Sequence, residues 1–133
     1  MPDLLTLDTN IAIYAFSKDA KAEIAREILS VSNFVSVQLL NEYANTAIRK
    51  RRLSWPEINA DLAVILRTVP IIRTLNLDAN REAARLAERY RLSFYDALML
   101  AVSIAGGART IYSEDMQHDL LVDGTLRIID PFR

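Results

Sequence analysis

The chain has 133 residues, a formal net charge of −1 and 51% hydrophobic residues, which is ordinary for a soluble globular domain. It contains no cysteine, so disulfide bonds and thiolate metal sites are excluded. The longest apolar stretch, from Ala97 to Ala108, is about 12 residues long and is interrupted, whereas a membrane helix needs about 20. The start, Met1-Pro2-Asp3-Leu4, lacks the basic region and apolar run of a secretory signal. We therefore expect one cytoplasmic domain over residues 1–133, without a membrane partner.

Strands and helices are predicted to alternate in the first half of the chain. Leu4–Leu7 is a short apolar strand, after which a helix begins at about Ile11, with Thr9 and Asn10 as candidate N-caps. The other elements predicted here are a helix over 20–31, a strand over 33–37, a helix over 37–50 and a capped helix over 54–68.

The second half continues the alternation. It contains a predicted strand over 69–75, a helix over 78–90 and an apolar helix from Ser93 that Gly106-Gly107 terminates. Predicted strands over 110–112 and 126–129 flank a loop or short helix over 113–119. This alternation predicts an α/β fold, with a central, mainly parallel sheet of about five strands covered by helices on both faces.

Four acidic residues occupy comparable places in this pattern. Asp8 and Asp115 follow strands, Asp96 lies in the first turn of the apolar helix, and Glu42 lies in the helix after the second strand. Side chains at the ends of several parallel strands converge on one edge of a sheet. Two carboxylates about 4 Å apart repel by roughly 4 kcal/mol at an effective dielectric of about 20 unless a cation neutralises them. Oxygen ligands suit magnesium and manganese, so the pattern predicts a Mg2+ or Mn2+ site.

Two of these acids have structural explanations that involve their neighbours. Asp8 could cap a helix or a turn, but Thr9 and Asn10 already offer caps, so we expect the Asp8 carboxylate to be free for a ligand. Glu42 could simply lie on a solvated helix face. Each acid taken alone is therefore a weak signal.

The other two acids have local alternatives of the same kind. Asp96 could complete a capping box with Ser93, and Asp115 could cap the segment that follows its strand. Glu114 and Asp119 are rival acids close to Asp115. The occurrence of all four acids in strand order is not easily explained by capping.

The strongest basic cluster is Arg49-Lys50-Arg51-Arg52, at the end of the helix that carries Glu42. It is either a solvated helix end that the helix dipole favours or an RNA-binding phosphate track leading from the acidic site. The chain has 13 Arg and only 3 Lys, and Arg binds phosphate bidentately, although a genome rich in G and C gives the same bias. Charge therefore permits a nucleic-acid partner without requiring one.

Several segments resemble the acidic motifs of PIN-domain nucleases. They are Leu7-Asp8-Thr9-Asn10, the helical Glu42, Tyr95-Asp96-Ala97-Leu98 and Ser113-Glu114-Asp115-Met116-Gln117, with Ile129-Asp130-Pro131-Phe132 similar to the closing strand of the family. The resemblance covers essentially the whole chain. It points to the VapC branch, small toxin ribonucleases encoded with a VapB antitoxin.

This resemblance implies a PIN-like three-layer α/β/α sandwich whose four acids catalyse RNA hydrolysis with magnesium or manganese. Asp8, Asp96 and Asp115 are the expected metal ligands, and the fourth acid would orient the attacking water or bind a second metal. Asn10 and Ser113 match polar positions that support the acids. The family also implies an RNA substrate, with tRNA among the candidates, a homodimer, and a VapB-like antitoxin whose tail covers the acidic groove.

Other functions fit the sequence less well. A metal-free ribonuclease that uses the 2′-hydroxyl needs a pair of histidines, whereas His118 is the only one and is expected at the surface. The nucleophile-elbow, P-loop and dinucleotide-binding glycine motifs are absent. An aspartyl-phosphate enzyme would want a late lysine, but none follows Lys50. The remaining alternatives are a non-catalytic RNA-binding or regulatory PIN-like module and a PIN nuclease of RNA processing.

Overall fold

A computed structural model describes residues 3–133. Met1 and Pro2, which belong to the predicted domain, lie outside the described range. No helix within 3–133 combines the length and hydrophobicity needed to cross a bilayer. The strands are β1 (Leu4–Leu7), β2 (Phe34–Ser36), β3 (Ile71–Arg73), β4 (Ala108–Tyr112), β5 (Leu121–Val122) and β6 (Leu126–Ile129). The helices are α1 (Thr9–Ala15), α2 (Ala22–Val31), α3 (Val37–Arg49), α4 (Trp55–Thr68), α5 (Leu77–Tyr90) and α6 (Phe94–Ala105).

The central sheet brings the carboxyl ends of three strands to one edge. Its order is β1-β4-β6-β5, with β1, β4 and β6 parallel and only β5 antiparallel. Leu7 is in register with Tyr112, which is in register with Ile129. The pairing continues past the strand ends, because the Asp8 amide donates to the Tyr112 carbonyl at 2.8 Å and the Ser113 amide donates to the Ile129 carbonyl at 2.9 Å. Asp8 and Ser113 therefore lie together at this edge.

The two remaining strands, β2 and β3, form a separate parallel pair beside β1. At this junction side chains replace part of the backbone ladder: Asn33 Oδ1 accepts from the Leu5 amide at 2.8 Å, and the Thr6 hydroxyl donates to the Phe34 carbonyl at 2.6 Å. The mainly parallel α/β fold predicted from the sequence is confirmed. The central sheet has four strands rather than about five, since β2 and β3 do not join its ladder.

Two local differences from the predicted elements have simple causes. The strand β5 was not predicted, because two residues are too few to show an alternating pattern; the hairpin that leads from it to β6 contains Gly124 with φ +68. The helix α2 begins at Ala22 rather than at residue 20. The Asp19 carboxylate accepts from the Lys21 amide at 2.8 Å, which holds a turn just before the helix.

The helix α6 lies at the centre of the fold and positions one of the predicted site residues. Every residue from Ala97 to Ser103 is buried, and α5 packs along one side of the helix. At its carboxyl end a Cβ on Gly106 would lie 2.5 Å from Phe34 Cζ, so only glycine permits this approach. Its amino end, with Asp96 in the first turn, opens at the acidic edge of the sheet.

Candidate acidic active site

The four predicted acids line one cleft of about 520 Å³ at the carboxyl edge of the central sheet. Each comes from a different segment: Asp8 follows β1, Glu42 lies on α3, Asp96 lies in the first turn of α6, and Asp115 lies in the loop after β4. The fold therefore brings together four residues that are as much as 107 positions apart in the printed sequence.

Asp8 is the most buried of the four and has two hydrogen-bonding roles. It is 6% exposed, and its Oδ1 accepts from the Thr9 amide at 2.8 Å, which makes it the N-cap of α1. The prediction that Thr9 and Asn10 would cap this helix and leave Asp8 free was wrong. The residue directly after β1 keeps the extended backbone that an N-cap requires, with φ −87 and ψ 165. The other oxygen, Oδ2, accepts from the Ser113 hydroxyl at 2.9 Å.

Burial raises the pKa of Asp8 to about 7. Hydrogen bonds from the Thr9 amide and the Ser113 hydroxyl oppose this rise, whereas the negative charges of Asp96 and Glu42 add to it. Repulsion among the acids is the interaction that the sequence pattern makes evident. In the structure the removal of Asp8 from water is the larger cause, and the like charges are secondary.

Glu42 faces the cleft because of where α3 begins. The Ser36 side chain, at the end of β2, accepts from the Leu39 amide at 3.1 Å and so starts the helix directly after the strand. The Thr9 hydroxyl then donates to Glu42 Oε2 at 2.9 Å. Burial raises the pKa of the half-buried Glu42 carboxyl, and the Thr9 hydrogen bond opposes that rise. The solvated-face explanation of this residue is excluded.

Asn10 and Ser113, the two predicted supporting residues, connect the acids to one another. Asn10 Nδ2 lies 3.1 Å from Asp115 Oδ2 and 3.5 Å from Asp8 Oδ2, so one amide group bridges both carboxylates. Asn10 Oδ1 accepts from the Glu114 amide at 3.2 Å, which holds the loop after β4 against α1. Ser113 is completely buried and donates to Asp8.

Glu114 and Asp119, the rivals of Asp115, are engaged elsewhere. The Tyr14 hydroxyl donates to Glu114 Oε1 at 2.7 Å, and Lys21 forms an ion pair with the same carboxylate, which together lower the pKa of Glu114. Asp119 pairs at 3.0 Å with an arginine of β6. Of these three acids, only Asp115 lines the cleft.

Asp96 presents its carboxylate at the amino end of α6. The Ser93 hydroxyl accepts from the Asp96 amide at 3.3 Å, which is one half of a capping box. The reciprocal bond from Ser93 to the Asp96 carboxylate is not formed in the described range. The half-buried carboxylate is thus left to the cleft, next to the exposed ring of Tyr95.

The four predicted RNA-binding residues have different surroundings. Lys50 lines the acidic cleft, and Arg49 lies with it along an adjoining hollow. Arg52 is exposed. The Arg51 guanidinium instead donates to the Phe16 carbonyl at 3.1 Å and to a tyrosine hydroxyl, so it ties α3 to the end of α1. The Arg51 guanidinium is therefore engaged in hydrogen bonds within the protein, whereas the side chains of Arg49, Lys50 and Arg52 are exposed.

Sequence reasoning missed several of the polar side chains that α3 contributes to the cleft. Spacings of three and four residues place them on one helix face, and this spacing is the signal by which they could have been found. The cleft-lining residues of α3 and its C-cap are Gln38, Asn41, Glu42, Asn45, Thr46 and Lys50.

His118 was expected to be a polar surface residue, and the structure shows that it is partly exposed and also has a structural role. The imidazole is half-buried, and its Nδ1 accepts from the Asp130 amide at 2.9 Å. The residue therefore joins the loop after β4 to the segment that follows β6. It does not line the acidic cleft.

The chemistry of the cleft fits a hard divalent cation. Its candidate donors are carboxylate oxygens, and the buried Asp8 carboxylate becomes easier to ionise when a positive charge is near. Among residues 3–133 no three acids or histidines are drawn together closely enough to form a ready-made metal cluster. Magnesium is commonly held by one or two carboxylates and keeps several waters, so its binding does not require a closed cluster of protein ligands.

Solved structures with the same fold come from several bacteria. The VapC20 toxin of Mycobacterium tuberculosis, described as cleaving the sarcin–ricin loop, is similar with a TM-score of 0.67 and 22% identity over 80% of this chain and 86% of that one. A toxin–antitoxin complex from Klebsiella pneumoniae has a TM-score of 0.72 and 21% identity, covering 96% and 97% of the two chains. DNA-bound VapBC from Salmonella typhimurium has a TM-score of 0.70 and 16% identity, covering 98% and 99%.

At these identities the likeness establishes the shared fold. Comparison with curated protein sequences found no match. The sequence model of the PIN domain, in contrast, matches residues 5–121, which include all four acids of the cleft. The chain therefore belongs to the PIN domain family.

Proposed function

We propose that this protein is a magnesium- or manganese-dependent endoribonuclease and the toxin of a type II toxin–antitoxin pair. The observation that carries the proposal is the convergence of Asp8, Glu42, Asp96 and Asp115 on one open cleft. Negative charges that line one cleft attract a cation, and a cation among them can act on a phosphodiester.

The solved structures of the same fold support the toxin role. One is described as an RNA-loop-cleaving toxin, another as a toxin–antitoxin complex, and a third as a DNA-bound VapBC complex. By analogy we propose a VapB-like antitoxin as the partner of this chain, a homodimeric toxin, and action in the cytoplasm. These assignments extend from the shared fold to this chain and can be tested separately.

The carboxylates have distinct roles in the proposed reaction. Asp8, Asp96 and Asp115 would hold the metal, which when bound supplies an activated water and offsets the charge of the scissile phosphate. Glu42 is held by the Thr9 hydroxyl and would orient the attacking water for in-line displacement. Hydrolysis of this kind leaves a 5′-phosphate and a 3′-hydroxyl.

The supporting residues keep the acids in the state that this chemistry needs. The Ser113 hydroxyl donates to Asp8 Oδ2 and favours the ionised carboxylate, which burial alone would disfavour. Asn10 holds Asp115 in place through its side-chain amide. Lys50, with Arg49 and Arg52 beyond it, would contact phosphates of the bound strand.

Two other functions use the same fold. A non-catalytic RNA-binding or regulatory PIN-like module would not need a complete acidic set, yet all four acids line the cleft. A PIN nuclease of RNA processing would share the chemistry but not the antitoxin. Co-expression with and without a cognate antitoxin separates the toxin from the processing enzyme, because only a toxin is neutralised.

The first test of the enzyme is RNA cleavage by the purified chain, freed of any co-purifying partner. Total RNA, including folded tRNA and ribosomal RNA, is incubated with magnesium or manganese, with EDTA, and with metal plus the Asp96→Asn variant. We expect discrete cuts with 5′-phosphate ends only for the wild type with metal. A matched control is Asp3→Asn, which changes an exposed acid outside the cleft.

Three outcomes would contradict the proposal. Cleavage that persists in EDTA would remove the metal mechanism, and full cleavage by Asp96→Asn would remove the site. Failure to cut any RNA, with no metal bound in calorimetry, would favour the non-catalytic module.

A further inference from the structure

We propose that the ring of Tyr95 stacks on the RNA base next to the scissile phosphate. This inference rests on the proposed function and adds a residue that positions the substrate. Tyr95 lines the cleft and is 59% exposed, although a large aromatic ring is normally at least half-buried.

The Tyr95 ring has one aromatic neighbour, Phe94, which is itself 40% exposed. It packs against Phe94 edge to face, with ring centroids 5.9 Å apart and an interplanar angle of 71°. Both residues lie in the first turn of α6, whose following residues are buried. The Tyr95 ring therefore makes one aromatic contact, and most of its surface remains available at the cleft.

The other tyrosines are already engaged. Tyr14, Tyr43 and Tyr90 each form a hydrogen bond from the hydroxyl to a carboxylate, and Tyr112 is half-buried within β4. Tyr95 has no such side-chain bond in residues 3–133. The hydrogen bonds that fix the other tyrosines therefore do not explain why Tyr95 lies exposed beside Asp96.

The position of the ring indicates which base it would contact. Tyr95 is adjacent to Asp96, so a phosphate at the acids places a neighbouring base within reach of the ring. In an A-form duplex the faces of the bases are covered by their neighbours, whereas unpaired bases can be splayed out onto aromatic side chains. Asp8 is only 6% exposed, so it lies in the recessed part of the cleft. A phosphate can approach it more easily on a strand that bends inward.

The α3 side of the same cleft can read the edge of a splayed base. Asn41 and Asn45 lie one turn apart, are exposed, and make no side-chain hydrogen bond within the described range. A carboxamide offers both donors and an acceptor, which is what base edges require. Lys50, five residues beyond Asn45, supplies a contact for the next phosphate.

Binding can be measured without hydrolysis in the Asp8→Asn background, using EDTA and a fluorescein-labelled 12-nucleotide RNA in fluorescence anisotropy. The same RNA annealed to its complement is the paired probe. We expect the single strand to bind more tightly than the duplex. Adding Tyr95→Ala should weaken single-strand binding about tenfold or more, whereas Tyr95→Phe should keep it within about twofold, since stacking needs the ring and not the hydroxyl.

The α3 side chains have their own controls in the same assay. Asn41→Ala and Asn45→Ala should change the preference among 12-nucleotide probes that differ at one base. Asn80→Ala, at an exposed carboxamide on α5, should not change it. Thermal unfolding of each variant shows whether a loss of binding reflects a loss of fold, and the exposed Tyr95 should tolerate alanine.

The inference is overturned if the single strand binds no more tightly than the duplex, or if Tyr95→Ala binds the single strand as well as its parent. Its failure is distinct from failure of the nuclease. Metal-dependent cleavage with an unchanged KM in Tyr95→Ala would leave the nuclease standing and remove the stacking role. If RNA binding depends on Tyr95 but the protein cuts no RNA, the stacking role would stand and the nuclease function would be removed.

Discussion

The side-chain amide of Asn10 donates to the Asp115 carboxylate at 3.1 Å across 105 positions of the chain. The same amide lies 3.5 Å from Asp8, so the residue after β1 and the loop after β4 are joined at the acidic cleft through one polar group. Because the side-chain oxygen Oδ1 of Asn10 also accepts from the Glu114 amide, the loop cannot shift without breaking this contact. The arrangement makes Asn10 a positioning residue.

Asn10→Ala should lower metal-dependent RNA cleavage by roughly 10-fold or more, because a hydrogen bond to a charged group contributes about 1.5–3 kcal/mol. We expect the loss to appear in kcat and in the magnesium concentration for half-activity, since Asp115 is no longer held. Calorimetric titration with Mn2+ provides a readout independent of turnover. Asn80→Ala is the matched control on α5. Unchanged metal affinity and kcat in Asn10→Ala would show that Asp115 does not depend on this bridge.

Asp8→Asn should stabilise the metal-free protein at pH 8. The pKa of Asp8 rises from 3.8 to about 7 on folding, so the folded state holds a proton that the unfolded state releases. The stability associated with this proton is present below about pH 4 and is lost as the pH rises through about 7. The variant has no carboxylate to ionise there, and we expect a gain of about 1–3 kcal/mol in the free energy of unfolding.

Urea unfolding in EDTA at pH 5 and pH 8 measures this effect, and the advantage of Asp8→Asn should shrink at the lower pH. Magnesium should stabilise the wild type at pH 8 more than it stabilises the variant, because the ionised carboxylate would contribute to binding. An Asp8→Asn protein that is less stable than the wild type at both pH values would contradict the role assigned to burial.

Glu114→Gln should impair cleavage more than it impairs stability. The carboxylate pairs with Lys21 and accepts from the Tyr14 hydroxyl, which fixes the loop that carries Asp115. A partly exposed pair contributes no more than about 1 kcal/mol to folding, so the melting temperature should change little. We expect a higher KM for magnesium and a lower kcat. Asp119→Asn, which breaks a surface ion pair in the same loop region, should leave both unchanged.

Lys50→Ala and Arg51→Ala should have opposite phenotypes although the residues are adjacent. Lys50 is exposed at the cleft, so its loss should weaken RNA binding and reduce the salt dependence of that binding. The free energy of unfolding should not fall. Arg51 donates to the Phe16 carbonyl and to the Tyr43 hydroxyl, so its loss should cost about 1–2 kcal/mol of folding free energy. Anisotropy and urea unfolding measure the two effects, with Lys18→Ala as the control for an exposed lysine. Equal effects on RNA binding would show that all four basic residues form one track.

Several features were predictable because they depend on short stretches of chain. Three local signals are confirmed: the apolar run of Leu4–Leu7 forms β1, the capping box at Ser54 begins α4, and the double glycine ends α6. The family motifs around the four acids are equally local. This is why the fold class and the family could be inferred before any contact was known.

Other features could not be predicted because the partners are remote. Arg51 is basic like its neighbours, but only packing shows that its guanidinium reaches the Phe16 carbonyl. His118 has no local signal for its bond to the Asp130 amide. The cap at Asp8 is a different case, since three adjacent polar residues competed for one position and the extended backbone after β1 decided among them.

The sequence by itself determined the alternation of elements, the PIN family and a short set of candidate acids, because periodicity, capping and motifs are properties of neighbouring residues. Only the tertiary structure decided that Asp115 rather than Glu114 faces the cleft, and that β2 and β3 stand apart from the central sheet. It also decided that Tyr95 is the exposed ring beside the acids. These outcomes depend on burial and on hydrogen bonds between distant segments, which local sequence does not encode.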